Sequence, residues 1–319
     1  MAGLALTRAA IATLVVIATA ASPLACGSDA ASPLAPNDDG GGDAPTDRTI
    51  DASADVGVDA SDAGDARADA DATIDAPVDA RDAASDAIDA EAGPCPGDGG
   101  PLAIRIGAYC IDSTEVTNAD YARFLATDAG AAPIACASNA TYVPGGGTWP
   151  PPAGSDALPV VGVDWCDAYV YCAWIGKRLC GAIGGGGTPY DAYADAAASQ
   201  WYRACSNGGA LAYPYGAAYD ALACNGKDRD AGALVDAGSI ATCAGGASAS
   251  LRDMSGNVYE WEDSCDRDAG MSDNCRIRGG GWLTPGPPAN VNLSCTGSGV
   301  AMARGADGFV DVGFRCCGP

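Results

Sequence analysis

Along the chain, apolar and polar positions fall into three regimes. Residues 1–21 hold one cation, Arg8, followed by an apolar run through Ile11, Leu14, Val15, Val16 and Ile17 to Ala21, the layout of an export signal. The run is about 13 residues long, short of the ~20 that cross a bilayer as a helix, so it predicts a leader rather than a permanent span. From 27 to 93, aspartates recur with alanine at Asp59, Asp62, Asp65, Asp69, Asp71, Asp75, Asp79, Asp82, Asp86 and Asp89. A helix at that spacing would stack like charges at i,i+3 and i,i+4 and bury nothing larger than alanine, so a disordered, self-repelling stalk is the expectation. From Pro94 to Pro319 the pattern changes to short strands, glycine-rich turns and two amphipathic helices. Thr117–Ala126 starts on a Thr or Asn cap and puts Tyr121, Phe124 and Leu125 on one face. Cys166–Ile175 puts Tyr169, Val170, Cys172, Ala173 and Trp174 at helical spacing, with Gly176 as its stop. Both read as core faces, giving segments 1–26, 27–93 and a folded 94–319.

Charge and composition remove whole classes of function. Seventeen Lys+Arg against 41 Asp+Glu leave a net charge of -24, which excludes a basic nucleic-acid footprint. With no histidine at all, a Ser-His-Asp or Cys-His nucleophile and any histidine-ligated metal centre are excluded too. Every Trp, Tyr and Phe lies at or beyond Tyr109, so the packed core belongs to the last two-thirds.

Cysteine arithmetic sharpens both ends of the chain. Pro23-Leu24-Ala25-Cys26-Gly27 is similar to a bacterial lipobox, although Pro23 stands where such motifs usually carry Leu. Either Cys26 carries a lipid or the leader is cut after Ala25 or nearby. Setting Cys26 aside from the 15 cysteines leaves 14, an even number that favours lipid at Cys26 and a disulfide framework in an exported domain. There is no CxxC pair, and the glycine runs 184–187 and 279–281 lack a following Lys-Ser/Thr, so they read as turns rather than phosphate cradles.

Seven collinear motifs then carry a family resemblance. They are Glu115–Asn118 with Tyr121 and Phe124, Pro159–Trp165, Tyr171–Leu179, Tyr213–Gly216, Asp253–Trp261, Arg278–Trp282 and Gly313–Cys316. In this order they resemble the sulfatase-modifying factor family, whose best-known members are formylglycine-generating enzymes. The resemblance implies an α+β, C-type-lectin-like fold with little regular secondary structure. Where the family continues its Arg-Leu with Pro-Thr-Glu, this chain has Cys180-Gly181 and a glycine-rich insertion before Gln200, so an extra surface loop stapled through Cys180 is expected.

The resemblance also implies chemistry, and the residues here accept only part of it. It implies Ca²⁺ at Asp253 and Glu260 with the backbone oxygens of Gly256 and Val258, hard donors suited to that ion; Asn225 would serve a second site. It implies bridges Cys172–Cys316 and Cys205–Cys295. Closeness in sequence suggests Cys265–Cys275, Cys224–Cys243 and Cys95–Cys110, leaving Cys136, Cys166, Cys180 and Cys317. The family's two Cu(I)-binding cysteines map onto Thr284 and Ala289, which offer no soft ligand. Copper is therefore not expected. The expectation is a non-oxidase binding or scaffolding module of the cell envelope, tied to an outer or surface membrane by lipid on Cys26. Its cleft would use Arg278, Trp282, Trp149 and Arg304 toward a protein, peptide or small molecule, with no nucleic acid. The alternative is a formylglycine-generating oxidase with displaced cysteines, or another enzyme in the same cleft.

Overall fold

Strands β1 (Ala103–Ile106) and β2 (Tyr109–Asp112) pair as a hairpin that turns at Gly107 (φ 59°), where a left-handed backbone suits glycine. The computed structural model describes residues 94–97, 99–127, 130, 132–146, 149–297 and 300–319. The export signal, Cys26 and the acidic stretch lie outside the described residues.

Helix α1 (Asn118–Leu125) begins where the Thr117 hydroxyl accepts the Asp120 N–H and the Asp120 carboxylate accepts the Thr117 N–H. Helix α2 (Trp165–Trp174) repeats the device with Asp164 and Asp167. Each satisfies two otherwise orphaned donors of a helix start. The α2 face departs from the spacing-based expectation. Ala173 is exposed and Tyr169 only half-buried, while Cys166, Ala168, Val170, Tyr171 and Cys172 are buried. The helix is wedged between α1 and a sheet, so it buries a broader, rotated face. A short α3 (Gln200–Cys205), capped by Ser199, follows the insertion.

Two small sheets flank these helices. β3 (Arg178–Leu179) and β10 (Cys316–Gly318) extend the first hairpin into the order β1-β2-β10-β3, all antiparallel. β4 (Ala244–Gly245) and β5 (Ser248–Arg252) form a separate ribbon. In the second sheet β6 (Tyr259–Cys265) is central, antiparallel to β7 (Asn274–Arg278) and parallel to β9 (Val312–Phe314), with β8 (Ala301–Ala303) at the edge.

Because side chains alternate along a strand, β6 sends Trp261 to one side and Glu260 and Glu262 to the other. Trp261 joins an aromatic core in which Tyr121 stacks on Tyr171 at 5.6 Å and both meet the edge of Phe314. The opposite side holds Trp201, Arg278 and Arg315, all fully buried.

All fourteen cysteines from Cys95 to Cys317 are bonded: 95–110, 136–166, 172–316, 180–317, 205–295, 224–243 and 265–275. Adjacent Cys316 and Cys317 point to opposite faces of β10, one to α2 and one to the start of the insertion. Seven bridges in a domain of this size mark an oxidising compartment outside the cytoplasm. Among the described residues no helix is long and apolar enough to cross a membrane.

Candidate functional site

Three neighbourhoods hold the residues singled out from the sequence, and they do not coincide. The first is the loop where the family's copper ligands map. Thr284 is buried; its hydroxyl accepts the Gly281 N–H (3.0 Å) and donates to the Tyr259 phenol oxygen (3.0 Å). That phenol also accepts from the Asn292 amide at 3.2 Å. Ala289 is exposed, and Cys295 is bonded to Cys205. Thr284, Tyr259 and Asn292 form a neutral hydrogen-bonded knot with no thiol in it.

The second neighbourhood surrounds the residues expected to hold calcium. Both Glu260 oxygens are engaged by the Arg315 guanidinium (2.6 and 2.7 Å), and one also accepts from the Trp201 indole (2.8 Å). This charge-assisted pair gives the motif residue Arg315 its structural role: it ties the segment after β9 to β6 and also donates to the Asp112 and Arg252 carbonyls. Beside it, Asp253 accepts the Gly238 N–H with one oxygen (2.6 Å) and has no donor on the other. Asp253 occupies a left-handed backbone conformation (φ 54°). One oxygen of Glu115 and the Asn225 side-chain oxygen are likewise buried without a donor. Asn257 ties the group together, donating to Glu115 (3.1 Å) and accepting from Asn225 (3.1 Å).

Burial lifts the Asp253 carboxyl to about 6 and Glu115 well above the usual carboxylate range, the latter also through the neighbouring Asp253 charge. Asp253 and Glu115 are within side-chain hydrogen-bond reach of each other, so a shared proton serves them when one is protonated; with both ionised, their oxygens and that of Asn225 are hard donors of the kind an oxygen-seeking cation takes, whereas Glu260 already serves Arg315. Among the described residues no three acidic or thiol side chains form a metal-holding group by themselves, so such an ion would draw on Asn225 and backbone oxygens.

The third neighbourhood is a cleft of about 460 Å³ lined by Trp165 and Tyr169 of α2, Gly186–Pro189 of the insertion, Asp263 and Cys265 of β6, Arg267, Asp268, Arg304 and Pro133. Arg304 stacks on the Trp165 indole at 4.6 Å and pairs with Asp268 at 3.0 Å and Asp273 at 3.8 Å, leaving its buried Nε without a partner. The Tyr169 ring stacks on Trp165, centroids 4.9 Å apart. Burial pushes the Asp263 carboxyl up to about 6, against the pull of Arg178 and Arg304.

The four expected cleft residues are therefore dispersed. Arg304 lines this cleft, while Trp149 packs on Tyr121 and lines a small apolar groove of about 190 Å³. Trp282 is half-buried, its indole donating to the Val310 carbonyl at 3.5 Å. Arg278 lies away from this cleft. It is fully buried, donates to Glu262 (2.9 Å) and to the Tyr193 and Cys295 carbonyls, and lies over Trp201. Tyr169, expected on a core face, packs at the core's edge and also lines this cleft, beside the core residue Trp165. No periodicity could have shown this, because the opposing surface comes from residues at least a dozen positions away.

Short strands around a wedged helix, buried arginines paired to strand carboxylates and a dense set of bridges define a disulfide-stapled α+β domain. The chain belongs to the sulfatase-modifying factor enzyme 1-like domain family, whose model matches residues 80–318. Solved structures similar to it include CarF (18% identity, 70% of this chain and 96% of that one, TM-score 0.44). PvdO from Pseudomonas aeruginosa is similar at 21% identity, 70% and 88% coverage and TM-score 0.44. Treponema denticola variable protein 1 is similar at 15% identity, 70% and 92% coverage and TM-score 0.43. None of the curated proteins compared with the chain matches it.

Proposed function

We propose that this protein is an exported, lipid-anchored binding or scaffolding module of the cell envelope, whose domain does not perform the thiol oxidation of formylglycine-generating enzymes. One observation carries the reading: every cysteine from Cys95 to Cys317 is in a disulfide. A Cu(I) centre of the family's kind needs two thiolates, and here Thr284 and Ala289 stand at those positions while Cys295 is committed to Cys205. The stalk 27–93 would hold the domain off the membrane, and Cys26 would carry the lipid. The ligand would be a protein, a peptide or a small molecule. Incubation with Cu(I), O₂ and a cysteine-containing sulfatase peptide tests the reading. The peptide thiol is expected to persist; its conversion to an aldehyde overturns the proposal in favour of the oxidase.

Calcium belongs to the same proposal. Asp253, with Asn225 and the Gly256 and Val258 carbonyls, would hold it, and Glu115 is the adjacent carboxyl whose unpaired oxygen supports the placement. Bound there, Ca²⁺ would supply positive charge to a buried acidic cluster that Arg315 alone does not balance. Thermal unfolding with and without chelator is the check: a lower Tm on chelation is expected, and no shift removes calcium from the account.

A further inference from the structure

We propose that the cleft between α2, the insertion and the β6–β7 turn is a binding site for a neutral mono- or disaccharide. This deepens the binding-module reading and names its ligand class. The argument starts from charge. Although the whole chain is strongly acidic, the cleft lining carries Arg267 and Arg304 against Asp263 and Asp268. Two cations and two carboxylates cancel, so a ligand gains little from net charge. It gains from alternating donors and acceptors, the pattern vicinal hydroxyls match with a guanidinium on one side and a carboxylate on the other.

The walls fit the same ligand. Tyr169 is half-buried and braced from behind by Trp165, which is itself fixed by Arg304 and by its indole bond to the Glu262 carbonyl at 3.1 Å. A half-buried ring stacked on a fixed indole and lining the cleft offers a platform for the C–H side of a sugar, with Pro133 and Pro189 as further apolar wall. The cleft volume of about 460 Å³ falls in the small-ligand range and suits one or two pyranose rings.

Two observations point to polar groups of the cleft lining that the protein itself leaves unserved. Arg304 is buried to within 2% of its surface, yet its Nε has no acceptor, an expensive state for a charged group unless something accepts from it. Asp263 makes no side-chain hydrogen bond among the described residues, although its backbone is held by Cys180 and Thr188. The insertion shapes the cleft around it. A Cβ at Gly187 would lie 3.2 Å from an Asp263 carboxylate oxygen, and one at Gly181 would meet the Gly186 carbonyl at 2.5 Å. Glycine at these positions keeps that side of Asp263 open.

The test is a glycan array probed with the full, disulfide-bonded chain, then calorimetry with the best neutral saccharide. Binding of a neutral mono- or disaccharide is expected. Tyr169→Ala and Asp263→Asn should each weaken it by about tenfold or more, the scale of losing one well-placed contact. Because Tyr169 contributes to packing, the exposed Asp268→Asn provides a variant whose fold is not at risk, expected to weaken binding about threefold to tenfold. Three results overturn the proposal: no neutral saccharide binding at millimolar concentration, binding untouched by all three variants, or a preference for anionic glycans. Abolition by chelator would also overturn it, by placing the sugar on a cation elsewhere. None of these bears on the aldehyde assay, so the non-oxidase reading stands or falls separately.

Discussion

The loop from Gly279 to Asn292 and the insertion from Cys180 to Ser199 both border candidate sites, yet they are built in different ways. The first is held by neutral hydrogen bonds from Thr284 and Asn292 to Tyr259, with one bond from the Gly286 N–H to the exposed Asp228 carboxylate at 2.9 Å. The second is pinned by charge and covalent chemistry. Glu262 accepts the Ser199 hydroxyl (2.6 Å), the Thr188 hydroxyl (3.4 Å) and Arg278. Arg276 is sandwiched between the Tyr190 and Tyr193 rings at 4.0 and 3.9 Å, and Cys180 is tied to Cys317. A loop locked to buried charge makes a fixed wall for a cleft.

The largest effect of a single substitution on this contrast comes from Glu262→Gln. It leaves Arg278 charged, buried and uncompensated, a loss of about 3–5 kcal/mol, and should show as a lower urea midpoint together with release of the insertion to proteolysis.

Removing Cys180–Cys317 alone should cost about 2–3 kcal/mol. Cys172–Cys316 still closes nearly the same long loop, so only the short 172–180 segment gains freedom. Removing both bridges frees loops of 144 and 137 residues, and no cooperative unfolding transition is expected. If the single removal proves as damaging as the double, the two bridges are not redundant.

A smaller effect follows from pH. Desolvation lifts Asp112 to about 6 in spite of Lys177, and lifts Asp263 to about 6 as well. A carboxyl raised on folding contributes stability that is complete below its unfolded value near 4 and is lost as pH rises through the folded value. Stability should therefore fall by about 2–3 kcal/mol from pH 5 to pH 8 through these two groups; Asp263→Asn should flatten about half of that slope. A rise over the same range would contradict the assignment.

Smallest is Thr284→Val. It removes one hydrogen bond to Tyr259 and the acceptor for the buried Gly281 N–H, a loss of about 2 kcal/mol, with the insertion's protease resistance unchanged. A loss as large as that of Glu262→Gln would show that the two loops are not built differently after all.

Local rules were enough for part of this molecule. Thr117 with Asp120, and the spacing of Tyr121 and Phe124, specify α1 because capping and amphipathic periodicity act within a few residues. The ordered motifs from Glu115 to Cys316 specify the family and its α+β fold, and the absence of histidine removes whole chemistries regardless of folding. The bridges Cys172–Cys316 and Cys205–Cys295 were accessible only through that resemblance, and both are present.

Tertiary structure alone decided the rest. Cys136, Cys166, Cys180 and Cys317 allow three pairings on paper, and the sheet order β1-β2-β10-β3 selects one by setting Cys317 beside Cys180. Glu260 reads as a cation ligand until β9, 55 residues later, brings Arg315 against it. Arg278 reads as a surface recognition group until β7 turns it toward Glu262. Whether an arginine or a carboxylate is free, paired or unsatisfied depends on what desolvates it and what stands opposite, and both are supplied by segments distant in the chain.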